Sequence, residues 1–366
     1  YKALCSANLP DPTIGPGQSS QSDDNFNTVL GSGDGSSSRG ITGVGFQPDW
    51  VWIKTRNQTN EHSLFDSVRG AAKDLEANDT DAEQANNVNG YINSFDSDGF
   101  TVVDGSSGGA LVNYSSGGTT NTYVSWNWKA GGSASSNSNG SITSNVSANT
   151  DAGFSIGTYT GNATAGATIG HGLGAIPEVV IAKRRDNARD WSVYHHNLTS
   201  TPTNAYTLLN STAGTGLGAT AWNNGTFTTD VFTIGSHELV NHSGDSYVFY
   251  AFKGIEGYSK IGSYVGNGNS SGTYVYTGFR PAFLLTKEAT ATSGWNIRDS
   301  VRSPDNPVNE ALQTDTTGTE LTSNYNVDFL SNGFKLRTSA SDSNTSSQTY
   351  IYWAFAESPF KYANAR

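Results

Sequence analysis

Three strings decide how this chain reads: GFQPDWVWIK (residues 45–54), IPEVVIAK (residues 176–183) and GFRPAFLLTK (residues 278–287). In each, a Pro stands six positions before a Lys, with an apolar run between them. The runs are short, continuously apolar and rich in β-branched and aromatic residues, the pattern of a strand covered on both faces.

Working outward, matched offsets accumulate. Asp66, His195 and Asp299 each stand twelve residues after the Lys, and the outer two open identical DSVR strings. Trp191 and Trp295 fall four residues before that position, with His62 in their place in the first copy. Phe95 and Phe100, Phe227 and Phe232, and Phe329 and Phe334 repeat one spacing of five, and each copy closes on an aromatic string: Tyr123, Trp126, Trp128; Tyr247, Tyr250, Phe252; Tyr350, Trp353, Phe355. Composition alone does not generate such agreement, so the chain is read as a tandem array of one β domain. The reading gives an extended N-terminal arm (1–25), a first repeat (26–129), a Gly/Ser/Asn linker (130–151), a second repeat (152–256) and a third (257–366).

Each repeat alternates short apolar runs with Gly, Asn, Asp and Pro, which predicts an all-β fold of three antiparallel β-sandwich domains, a small barrel being the structural alternative. Only residues 67–83 have the composition for a helical turn or two. The linker predicts a first repeat that moves against a rigid pair formed by the other two. In the arm, Pro10, Pro12 and Pro16 cannot donate ladder hydrogen bonds. Leu4, Cys5, Leu9, Pro10, Pro12 and Ile14 are therefore read as a docking arm that lies on a partner chain.

Composition narrows the function classes. The chain of 366 residues carries 42 Gly and only 14% charged residues, with a formal net charge of −11. Clustered Lys and Arg, which phosphate binding requires, are missing, so no nucleic-acid partner is expected. No apolar run reaches the length of a membrane span, so no membrane insertion is expected. Cys5 is the sole cysteine, which excludes an intrachain disulfide.

No catalytic constellation emerges. His195, beside His196, occupies a position filled by Asp66 and Asp299 in the other copies and reads as a structural polar site; a general base would also need a nucleophile or water within reach. His171 aligns with Val44 and Thr277 and reads as a turn histidine. FDSDGF (residues 95–100) has the look of a calcium loop, but FLSNGF (residues 329–334) has lost both carboxylates, which favours a turn over calcium. No catalytic, cofactor-binding or metal-ligating residue is therefore expected. The sequons at Asn57, Asn145 and Asn197 are what a Ser/Thr/Asn-rich chain produces by chance.

GITGVGFQPDWVWIK (residues 40–54), SFDSDGFTV (residues 94–102), YVSWNWKAGG (residues 123–132), GHGLGAIPEVVIAK (residues 170–183) and AESPFKYANAR (residues 356–366) are similar to a family of tailed-bacteriophage virion proteins. The family comes from phages of marine cyanobacteria and pelagic alphaproteobacteria. The resemblance implies a structural protein on the virion exterior, a capsid decoration or tail-fibre component, with other virion proteins and a homo-oligomer as partners and no catalytic residue. Two further readings compete with it. One is a glycan-binding adhesin for host attachment, in which an exposed, unrepeated ring such as Trp222 stacks on sugar. The other is a polysaccharide depolymerase, which would need paired acids in a groove.

Overall fold

The computed structural model describes residues 13–15, 18–218 and 220–358. The three deciding strings become the central strands of three large antiparallel sheets, at Trp50–Thr55, Val179–Arg184 and Arg280–Glu288. Each central strand pairs on one side with the closing aromatic strand, at Thr122–Trp128, Ser246–Phe252 and Thr349–Ser358. On the other side it pairs with His62–Asp66, Ser192–His195 or Trp295–Asp299. The opening strands, Phe26–Ser32, Phe154–Thr160 and Ser259–Val265, pair with the outer side of the closing strands. The fold is thus all-β and antiparallel, and its α-helices among the described residues are single turns at Glu238–Asn241 and Ser341–Asn344.

A smaller sheet packs on one face of each large one. The edge strands of these smaller sheets are Ser38–Thr42, Ala167–Gly170 and Tyr274–Tyr276. Between each large and small sheet lies a private core, containing Val51, Phe65 and Phe100 in the first copy, Val180, Phe232 and Phe249 in the second, and Leu284, Phe329 and Phe334 in the third.

The opposite faces of the three large sheets meet in one shared core. Trp50, Trp52, Trp126, Trp128, Phe154, Tyr250, Phe252, Phe283, Trp353 and Phe355 all belong to it. Rings touch across copies: Trp50 and Tyr250 stack with centroids 4.5 Å apart, Phe252 meets Trp353 edge-on at 4.6 Å, and Phe26 stacks on Phe355 at 5.1 Å. This second core explains why the central strands are continuously apolar instead of alternating. Each ring contributes about 2–3 kcal/mol by burial.

Hydrogen bonds close the three copies into a ring. Lys54 Nζ donates to the Thr317 carbonyl at 3.2 Å, Lys183 Nζ to Thr80 at 3.1 Å, and Lys287 Nζ to Thr212 at 3.2 Å. The same three carbonyls accept the amides of Asn60, Arg189 and Ser293 at 3.2, 2.8 and 2.8 Å. Three residues further on, the amides of Glu320, Glu83 and Thr215 donate to the carbonyls of Arg56, Arg185 and Ala289 at 2.8, 2.8 and 3.0 Å. The first copy leans on the third, the second on the first, and the third on the second.

Within each copy an Asn and a Tyr form a second recurrent device. Asn113, Asn241 and Asn344 are buried, and their side-chain carbonyls accept the amides of Asp34, Asn162 and Asn267 at 3.1, 2.8 and 2.9 Å. The hydroxyls of Tyr123, Tyr247 and Tyr350 accept the amides of Tyr114, His242 and Thr345 at 2.8, 2.7 and 2.9 Å.

Two expectations need correction. Residues 130–151 are not a spacer: Ser135–Asn137 and Ser144–Asn149 are strands at the edge of the second large sheet, paired with each other and with Phe154–Thr160. Ladder bonds satisfy a backbone whose composition alone suggests flexibility, and the ring ties the first copy down. Residues 67–83 contain the strand Lys73–Glu76 instead of a helical turn, because pairing with Ser63 and Leu64 overrides local propensity.

Candidate functional site

The polar position shared by the copies sits at their interfaces. In the first copy the Asp66 carboxylate accepts the Arg69 guanidinium, the Arg69 amide at 2.8 Å and the Tyr250 hydroxyl of the second copy at 2.7 Å. In the third copy Asp299 accepts Arg302 Nε at 2.5 Å, the Arg302 amide at 2.8 Å and Trp126 Nε1 of the first copy at 3.0 Å. Arg302 and Arg56 converge on Glu320, and Arg69 and Arg185 on Glu83. The second copy is the neutral variant. His195 Nδ1 accepts the Asn197 amide at 3.1 Å, so Nε2 carries the proton and donates to the Tyr352 carbonyl of the third copy at 3.3 Å. Burial, reinforced by His196, pushes the His195 pKa down to about 3. Both ring nitrogens are spent on backbone, and the group reads as a structural pin.

The remaining histidines named by the sequence are similar. His171 is buried, with Nδ1 accepting the Leu173 amide and Nε2 donating to the Thr228 carbonyl, each at 3.2 Å. His62 stands where Trp191 and Trp295 stand elsewhere, and its Nδ1 accepts Trp52 Nε1 at 2.9 Å. Those two tryptophans instead reach across an interface, Trp191 Nε1 donating to the Glu76 carbonyl and Trp295 Nε1 to Leu208, both at 2.9 Å.

Asp96 and Asp98 flank a hairpin turn between strands Tyr91–Asp96 and Gly99–Val103. Asp96 accepts the hydroxyls of Ser94 and Thr101 at 2.8 and 2.7 Å, and Asp98 accepts the amides of Gly43 and Gly45 at 3.1 and 2.7 Å. These carboxylates pin the turn to the neighbouring edge. Glu61, Glu76 and Asp79 bring carboxylate oxygens within 4.8 Å of one another. Burial, then the neighbouring Asp74 and Glu61, push the Glu76 pKa up to about 8. The Glu61 carboxylate of this group accepts Asn78 Nδ2.

Two of the surface residues proposed from sequence lie elsewhere. Trp222 is fully buried in the second copy's private core, against Tyr194, Phe227 and Phe232, and offers no platform to a sugar. Among the described residues the exposed unrepeated rings are Tyr274 and Tyr276, 44% and 60% exposed on one face of an edge strand. The Tyr274 hydroxyl donates to Asn332 Oδ1 at 2.7 Å, and Lys335 stands opposite Tyr274 in the ladder. The signal was present in TYVYTG (residues 273–278), whose Tyr residues alternate with a buried Val. A polar groove of about 430 Å³ runs beside Gly131, Ser135, Asn137, Asn139, Ser147 and Gly172, with no ring on its walls.

Of the docking arm, Leu4, Cys5, Leu9, Pro10 and Pro12 lie outside the described residues. Ile14 does not point toward a partner: it is fully buried in the shared core. Thr13 Oγ1 donates to the Asp151 carbonyl at 3.2 Å and Ser22 Oγ to Ala356 at 2.5 Å, so the described part of the arm, residues 13–15 and 18–25, lies against the chain's own base, whereas the sequence predicts an arm that lies on a partner chain.

No curated protein and no solved structure matches the chain. One family profile does, and it spans residues 21–359, running through all three large sheets. The chain therefore belongs to the family described as a domain of unknown function, DUF7483.

Proposed function

We propose that this protein is a non-enzymatic structural component of a tailed-bacteriophage virion, exposed on the particle's exterior as capsid decoration or as part of a tail fibre. The observation that supports it most is the closed ring. The ionisable groups that recur between copies, Lys54, Lys183 and Lys287 with Asp66 and Asp299, are buried and spent on fixing one copy to the next. A chain that commits its recurrent polar chemistry to rigidity suits a mechanical task, and an acidic exterior keeps crowded neighbours apart. The whole-length resemblance to virion proteins supports the same reading.

A second reading is a glycan-binding adhesin, and its surface is the Tyr274 and Tyr276 face in place of Trp222. Two rings beside Asn332 and Lys335 offer stacking and hydrogen bonding to a sugar.

Mass spectrometry of density-purified particles, paired with incubation of the purified protein with host polysaccharide, tests the proposal. The expected result is a multi-copy virion protein that leaves the polysaccharide intact. Its absence from particles, or shortened polysaccharide chains, overturns the proposal, and the second outcome would point to a depolymerase.

A further inference from the structure

The small sheets present three versions of one edge. In the first copy the edge strand Ser38–Thr42 carries Arg39, whose guanidinium bonds the Ser32 carbonyl and pairs with Asp34 at 3.6 Å. A cation on an edge discourages another strand from pairing there. In the second copy the edge is covered by the chain itself. The Ile142 amide donates to the Thr168 carbonyl at 3.1 Å, the Thr168 amide to Ser141 Oγ and the Ser141 amide to Thr168 Oγ1, both at 2.9 Å. Ile142 bridges Ile169 in parallel, and its side chain enters the second copy's private core.

Among the described residues nothing covers the third edge. The Thr277 amide donates to the Asn332 carbonyl at 3.1 Å and the Leu336 amide to Thr273 at 3.0 Å. Residues 273, 275 and 277 therefore face the neighbouring strand, and by antiparallel alternation the amides and carbonyls of Tyr274 and Tyr276 point away from the sheet. Tyr274 precedes Thr277 by three residues, as Thr168 precedes its counterpart His171. It thus holds the position that Ser141 and Ile142 cover in the second copy. No described residue hydrogen-bonds this outward backbone, and the strand carries no charge. Val265, Tyr274 and Tyr276 are 55%, 44% and 60% exposed around it. The difference lies in the connections. Residues 129–153, between the closing strand of the first copy and the opening strand of the second, are long enough to supply the cover; residues 253–258, before the third copy, are not.

We infer that the Tyr274–Tyr276 edge receives an extended segment of a partner polypeptide in parallel, supplying in trans what Ser141 and Ile142 supply in cis. The occupant is an uncharged strand with a hydroxyl residue opposite Tyr274 followed by a β-branched apolar residue. Main-chain bonds would give affinity and the apolar residue specificity.

The probe is a synthetic peptide with the sequence of residues 137–144, NSNGSITS, added to the full chain while amide hydrogen exchange is followed by mass spectrometry. Exchange in residues 272–278 should slow about tenfold at peptide ten times above its dissociation constant. A peptide with Ile142→Asp should give no protection. Tyr274→Pro removes an outward amide without touching the ladder, and Tyr276→Lys copies the charge that guards the first edge; each should abolish protection with native near-ultraviolet dichroism retained. The second variant keeps the test open should the proline disturb folding. Unchanged exchange at millimolar peptide, or equal protection in a folded Tyr276→Lys variant, overturns the inference. Neither outcome depends on whether the chain is found in a virion.

Discussion

Replacing Asp299 with Ala probes the ring at one joint. The carboxylate is fully buried and accepts Arg302 Nε, the amides of Val301 and Arg302, and Trp126 Nε1 of the first copy. Breaking a buried ion pair from one side costs about 3–5 kcal/mol. Arg302 keeps Glu320 at 3.0 Å and the Ile297 carbonyl at 3.0 Å, which relieves part of the stranded charge. Stranded donors add about 1 kcal/mol or more each, so a loss of about 3–5 kcal/mol overall stands. Trp126→Phe alone should cost about 1–2 kcal/mol, for the lost hydrogen bond and some packing. Because the two residues share one bond across copies, the double variant should be more stable than the sum of the single losses by about 1 kcal/mol. Urea unfolding at pH 7, followed by tryptophan fluorescence, measures all three. Additivity within about 0.3 kcal/mol, or a loss below 1 kcal/mol for Asp299→Ala, would refute the reasoning.

Other outcomes follow from the same geometry. His195 has a folded pKa near 3 against an ordinary value of 6.5, so the unfolded chain binds the proton first. Its contribution to stability is complete above pH 6.5 and is lost as pH falls towards 3, at up to about 1.4 kcal/mol per pH unit; His195→Gln should flatten that part of a urea-midpoint profile, and an unchanged slope would count against the assignment. Trp222→Ala should lower stability by about 3–5 kcal/mol without altering retention on immobilised host glycan, whereas Tyr276→Ala should leave the thermal melt nearly unchanged; glycan retention lost with Trp222 in a folded variant would contradict its burial. Limited proteolysis should spare residues 130–151, in which Ser135–Asn137 and Ser144–Asn149 are paired in a sheet, and early cleavage there would restore the hinge that composition suggests.

How far the fold was legible depended on the kind of signal. The central strands, the closing aromatics and the Asp66, His195 and Asp299 position repeat at fixed offsets because each occupies one place in a recurrent sheet, and those offsets are visible in the letters. The ring was not legible, since Lys54 and Thr317 are brought together by closure of the chain and not by local pattern. The continuously apolar runs hinted at two covered faces without saying what covered the second. Asn113, Asn241 and Asn344 escaped notice because the hairpin of strands Ser115–Ser116 and Thr119–Thr120 lengthens the path from Asn113 to Tyr123. The burial of Trp222 has a physical reason: lack of repetition does not imply exposure, because a private core admits an unrepeated ring. Ile14 is buried for a related reason: one apolar residue among prolines and glycines suffices to plug the base of a shared core. The glycine- and serine-rich stretch at 130–151 shows that a ladder can order a segment whose side chains contribute little.

Cryo-electron microscopy of intact tailed-phage particles purified from a lysate in which this chain is expressed measures directly whether and where it sits on them. The predicted result is density for three sheets packed about one core, in multiple copies on the outer surface of the capsid or tail. Density confined to the particle interior, or particles that lack the chain altogether, would contradict it.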